Sequence, residues 1–184
     1  MSTILTLHDP QIARAYYEAG HWQADTMYAL ARKHAHKRPD AYAVRDSQQR
    51  LTWKTLVQWT DALAAELQQA GLRSGSRVSM WLPSRAEALV VLLACSRNGY
   101  VCNPSLHQNY TVDDVLQLLE RIQCAALFAQ PGYGADAARK DVFAAAKALA
   151  PLKRVYRLDP PGTRAPATES ATPFPPGNGI GPAS

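Results

Sequence analysis

"SRVSMWLPSRAEALVVLLACSRNGYVCNPSL", residues 76–106, decides the fold. Val78, Met80 and Leu82 alternate with their neighbours as a short strand does, and Pro83 ends it because proline has no N–H to give to a ladder. Ser84 and Glu87 match the S-x-x-E capping box, which predicts a helix start there. The helix continues through "EALVVLLACSR" to Asn98-Gly99. It is apolar nearly all round, so it is expected between a sheet and a further layer. "YVCNP" then reads as a second strand.

Downstream the pattern repeats. Thr111 and Asp114 form a shorter version of the capping box, and Val115, Leu118, Leu119 and Ile122 give the following helix its buried face. "CAALFA" (124–129) is a third strand, "PGYG" a turn, the alanine-rich run 135–150 a helix by intrinsic propensity, and "RVYRL" a fourth strand. Strands alternating with helices of about 12 residues predict an α/β fold, a mostly parallel sheet with covering helices and right-handed crossovers.

Upstream, Asp25 or Thr26 can cap a helix whose apolar stripe is Met27, Leu30 and Ala31, stopped at Pro39-Asp40. "YAVRD" and "RLTW" flank "SQQ" as a β-hairpin. Leu56, Trp59, Leu63 and Leu67 place a helix over 53–70, with Thr52 as its cap and Gly71 at its end. Trp22 and Trp53 are expected to fasten the N-terminal segment onto the sheet.

The totals fit one soluble domain: 184 residues, 47% hydrophobic and 19% charged. The net charge of +5 is modest. Its one dense run, "RKHAHKR", reads as a solvated helix end, so no nucleic-acid partner is expected. Cys95, Cys102 and Cys124 fit no metal spacing or closed disulfide framework. They read as small buried hydrophobes in a reducing compartment. His34 and His36, two apart on a helix, are poorly placed for one metal. No secretory leader is legible, and the apolar run "ALVVLLAC" is too short to span a bilayer, which predicts a cytoplasmic protein without a membrane partner. At residue 160 the composition turns to Pro, Gly, Ala, Ser and Thr. The chain therefore divides into a folded part, 1–159, and a tail or linker, 160–184, expected to be disordered. "GNGIG" within it follows no strand and opens no helix, so it is not read as a nucleotide fingerprint.

The stretch "LTWKTLVQWTDALAAELQQAGLRSGSRVSMWLPSRAEALVVLLACSRNGYVCNPSLHQNYTVDDVLQLL" resembles the N-terminal subdomain of the adenylate-forming ligases. These are the acyl- and aryl-CoA synthetases, the adenylation domains of peptide synthetases, and the luciferases. The matching pieces are the "LTW" strand and its helix, the "AGLRSGSRV" turn, "LPSRAEALVVLLACSRNGYVCNP" and the "YTVDDVLQLL" helix. "YYEAGHW" is similar to the entry segment of CoA ligases and aryl-acid adenylating enzymes. The resemblance spans roughly residues 15–159 and implies a partial domain of that fold.

It also implies an activity: a carboxylic acid is activated with ATP and magnesium to an acyl-adenylate, then passed to a thiol, often that of CoA. Such chemistry needs a Ser/Thr/Gly-rich loop with a lysine to cradle the triphosphate through backbone N–H groups. Lys33, Lys37, Lys54, Lys140, Lys147 and Lys153 follow no such loop. The chain is therefore expected to bind no cofactor itself, with ATP, magnesium and CoA belonging to a complete family enzyme, and to be inactive alone. Its expected partner is the missing remainder of the ligase or a second subunit. The alternative is a non-catalytic interaction module, or one part of a split ligase. An unrelated doubly wound nucleotide binder is disfavoured because "LPSRAE", the first strand-to-helix turn, lacks glycine. No catalytic or metal residue is assigned. His107 and Tyr110, in "SLHQNY" after the second strand of the parallel series, are weak candidates for contact with substrate or partner, since ligands collect beyond the carboxyl ends of parallel strands.

Overall fold

The computed structural model describes residues 9–104 and 107–160 and the backbone of 179–180. Helix α1 (Pro10–Glu18) is capped by Asp9, whose carboxylate accepts from the Gln11 and Ile12 amides. It buries only Ala13. The sequence reading missed it, because its apolar residues make a face that packs against little. Helix α2 (Met27–Lys37) starts at Thr26 as expected. Its inward face is not the expected stripe, however. Met27 and Leu30 are exposed, and α2 turns Ala31 and the half-buried Tyr28 inward. The Tyr28 hydroxyl donates to Asp61, and its backbone N–H donates to Ser96 Oγ at 3.2 Å. A tyrosine with two polar anchors outweighs two flexible apolar chains in choosing the helix's orientation.

Strands β1 (Tyr42–Arg45) and β2 (Arg50–Thr52) form the expected antiparallel hairpin. Thr52 caps helix α3 (Trp53–Gln69), accepting from the Thr55 amide at 3.1 Å. Trp53 fastens this region: the His34 ring lies 4.7 Å from its own, and the Arg38 guanidinium sits 5.7 Å above it. Trp22 does not reach the sheet. It packs edge-on against Tyr16 and Tyr17 of α1 and stays 46% exposed.

The second sheet carries the core. Strand β3 (Arg77–Trp81) pairs in parallel with β4 (Val101–Asn103) on one side and with β5 (Cys124–Ala129) on the other. Next comes β6 (Arg154–Arg157), also parallel, and then β7 (Gly179–Ile180), whose backbone lies antiparallel to β6. The order is β4-β3-β5-β6-β7. The rest of the run 160–184, expected as a tail, lies outside the described residues except Pro160.

Two cores sandwich this sheet. Alternate residues of a strand face opposite sides, so Val78 and Met80 of β3 and Phe128 of β5 meet α3 and helix α4 (Ala86–Asn98), where Leu56, Leu63, Leu67, Val90, Val91 and Ala94 are buried. Trp81, Leu127, Ala129 and Val155 face the other way, against helix α5 (Val112–Arg121) and the short α6 (Val142–Ala146). Strand β5, the central strand, is buried at all six positions. Phe128 stacks on Tyr156 of β6 with centroids 4.3 Å apart. The Tyr156 hydroxyl reaches Glu66 of α3, and burial pushes the pKa values of both groups up.

Two local expectations fail for identifiable reasons. The capping box at Ser84 does not form: Arg85 is the cap residue of α4 and gives no side-chain bond to its amides. The Ala86 amide is met instead by Asp46, 40 residues upstream in the hairpin turn, at 2.9 Å. Glu87 is paired with Arg85. The helix expected over 135–150 shrinks to Val142–Ala146. Asp136 turns its carboxylate to the Val112 amide at the start of α5 and its carbonyl to the Arg139 and Lys140 amides, so 135–140 wraps across α5 as turns. The alanines' propensity is a weak preference, and this tertiary hydrogen bond overrides it.

Candidate functional site

In an open parallel sheet, ligands gather beyond the carboxyl ends of the strands, where the strand order reverses. Here the chain runs from β3 out to β4, then returns past β3 to β5, so that point lies between the ends of β3 and β5.

Trp81, the last residue of β3, organises one side of it. Its side chain is fully buried, and its indole N–H donates to the His107 carbonyl at 3.0 Å. The Tyr110 amide donates to the same oxygen at 3.2 Å, and the Tyr110 carbonyl accepts from Ala135 at 2.9 Å. The two candidate residues are thus brought together, rings 5.9 Å apart and edge-on, with His107 exposed and Tyr110 half-buried. Their backbones close the loop over Trp81, while the His107 ring stays open to solvent. Gly134 completes the wall: a Cβ there would stand 2.5 Å from the Trp81 ring, and its φ of +139° also excludes ordinary side chains. Beside it lies a cleft of about 200 Å³ lined by Trp81, Gln130, Tyr133, Lys140, Phe143 and Arg157, among others.

Arg85 organises the other side, and sequence reasoning passed over it. Its guanidinium grips Glu87 with two bonds of 2.9 Å. It also donates to Gln130 Oε1 at 3.0 Å and to the Leu158 and Asp159 carbonyls at 3.4 and 3.0 Å. One side chain therefore ties together the ends of β3, β5 and β6. An arginine two residues after a strand-ending proline was the available signal, but apart from Glu87 its partners lie 45 and more residues away and cannot be read locally.

Each helix start at this edge already holds a carboxylate of the chain: Asp46 on α4, Asp136 and Asp114 on α5, and Asp141 on α6. The positive end of each backbone dipole is therefore already occupied. Burial alone would raise the Asp46 pKa, but the Ala86, Gln48 and Gln49 amides outweigh it and hold the group below the usual carboxylate range. Lys140 is paired with Asp113, and Arg157 with Asp159 at 3.2 Å. Among the described residues no group of His, Cys, Asp or Glu is placed to hold a metal ion. No described helix is long and apolar enough to cross a membrane.

A parallel sheet covered on both faces, led in by a hairpin and its helix, with a clamped carboxyl edge, defines a partial adenylate-forming ligase fold. The AMP-binding enzyme family model matches residues 31–178, and the chain belongs to that family. It is 40% identical over 92 residues to Protein Y of Streptomyces griseus, an alignment covering 50% of this chain and 30% of that protein. It is 35% identical over 89 residues to the salicylyl-CoA synthase / salicylate adenylyltransferase of a Streptomyces species, covering 48% of this chain and 16% of that one. The apo structure of MbtA from Mycobacterium smegmatis superposes with a TM-score of 0.64 at 27% identity, over 83% of this chain and 28% of that one. The chain thus spans less than a third of each of these relatives.

Proposed function

We propose that this chain is the N-terminal scaffold of an ATP-dependent acid–CoA ligase, working in the cytoplasm, that makes an acyl-adenylate and then a thioester. The observation that carries this reading is the family match over 31–178 on a sheet whose carboxyl edge is closed by the chain's own carboxylates and by Arg85. Such an edge supports a neighbouring reactive part and does not itself grip nucleotide. ATP, magnesium and CoA are handled by residues beyond those described. His107, exposed beside the strand-reversal point, and Tyr110 are positioned to touch that part or the acid. The likeness to the salicylyl-CoA synthase favours an aromatic acid.

The test mixes the purified chain with ATP, magnesium, salicylate or a fatty acid, and CoA, and follows pyrophosphate release. No release is expected, and robust turnover would refute the reading. One observation favours a second reading, a non-catalytic module or one part of a split ligase: Ile12, Tyr16, Tyr17 and Trp22 expose a group of large apolar side chains around α1. Light scattering that returns a clean, stable monomer would count against it.

A further inference from the structure

The outer face of the β1–β2 hairpin carries two arginines in a costly position. Val44 and Leu51 pack on the core, so by strand alternation their neighbours Arg45 and Arg50 point outward. The two are register partners, directly opposite each other across the ladder, and both are exposed. Like charges placed in this way destabilise a strand pair. Arg85, Arg97 and Arg157 each meet a carboxylate, from Glu87, Asp61 and Asp159. Among the described residues Arg45 and Arg50 have no such partner. Asp46, adjacent to Arg45, is turned away: one of its oxygens takes the Gln48 and Gln49 amides and the other takes Ala86. Tyr42 completes the face. It is 65% exposed, and the Arg50 guanidinium sits 5.6 Å from its ring centroid.

We propose that this face of the hairpin docks an acidic segment of a partner protein, with Arg45 and Arg50 converging on its carboxylates. Each guanidinium presents a fork of N–H donors that matches a carboxylate, and a carboxylate between the two relieves their mutual repulsion. Tyr42 positions Arg50 from below through its ring. Arginine and tyrosine are also the residues that dominate binding energy at protein interfaces. The open face of a two-stranded ribbon is not the concave cleft that a small anion needs. A second copy meeting this face with its own would lay arginine on arginine, so a symmetric dimer is disfavoured.

The test adds a short fluorescein-labelled poly-glutamate peptide to the full chain at low salt and reads anisotropy, with inorganic phosphate and phosphatidylserine vesicles as competitors. Saturable binding that weakens as salt rises is expected. The double variant Arg45→Gln/Arg50→Gln should bind at least about tenfold more weakly. Arg121→Gln/Lys147→Gln removes the same charge from exposed positions elsewhere and should bind as the wild type does. Tyr42→Phe keeps the ring and should retain binding. Arg45→Glu should abolish binding and yet raise the melting temperature by about 1–4 °C, because it places opposite charges across the ladder. The proposal fails if the wild type does not bind the peptide, if both double variants lose binding equally, or if phosphate or vesicles hold the same arginines more tightly than the peptide does. It also fails if Arg45→Glu melts lower, since the loss of binding would then follow from damage to the hairpin.

Discussion

Gly134 lies flat against the indole of Trp81, with a backbone angle that L side chains rarely adopt. Trp81 cannot retreat, because it is fully buried and its N–H holds the His107 carbonyl. Gly134→Ala should therefore cost roughly 1–3 kcal/mol, read as a lower urea midpoint at unchanged slope. Asp46 carries a second prediction. One carboxylate oxygen takes the Gln48 and Gln49 amides and the other takes Ala86. Asp46→Asn turns an N–H donor toward one of these amides and should cost about 1 kcal/mol at neutral pH. The folded pKa lies below the unfolded one, so this contribution is present above the unfolded value of about 4 and lost as pH falls through the folded value. Urea midpoints at pH 6 and pH 3 should thus differ less in the variant than in the wild type. Neither site was legible in the sequence. A glycine in "PGYG" and an aspartate in a hairpin turn are ordinary, and their roles come from Trp81 and Ala86, which the fold alone brings near. The same holds for α2: three-four spacing announced the helix, but the polar anchors of Tyr28, distant in sequence, chose its face.

At the level of elements, strands β1 to β6, the long helices and the hairpin were legible because each announces itself within its own span: alternation for β3, one-sided apolar spacing for α3, the Thr111–Asp114 box for α5, which forms with both its bonds; β7, a two-residue pairing inside the run read as a tail, was not. The failures came where a distant partner competed. Ser-x-x-Glu at the start of α4 gave way to Asp46 and Arg85, and the alanine-rich run gave way to the turns held by Asp136. Arg85 joins three strand ends, so its removal should register across them. Arg85→Met leaves the Glu87 carboxylate buried without its partner and should cost about 3–5 kcal/mol. Adding Glu87→Gln should restore part of that loss, and thermal melts of the two variants check it. A double variant no more stable than the single one would show that the strand-end bonds, not the ion pair, dominate.

Across the whole molecule, stability should be graded from the central strand outward. Strand β5 is buried along its length, and α1 buries one alanine. Amide exchange should accordingly be slowest in 124–129 and fast in 10–18, the latter within seconds to minutes of mixing; protection of α1 equal to that of β5 would contradict this grading. The family and the layered fold could be read from order and spacing along the chain. The closed carboxyl edge could not, because it is a property of pairs drawn from separate elements. The strand order has a further consequence, for birth rather than for the finished fold. Val78 must find Ala126, which leaves the ribosome 48 residues later, a delay of about 2–10 s at ordinary synthesis speeds. Through the first half of that interval β3 has no partner, and through the second it has β4 on one flank only, so the nascent polypeptide presents an open seam to whatever strand or chaperone reaches it first.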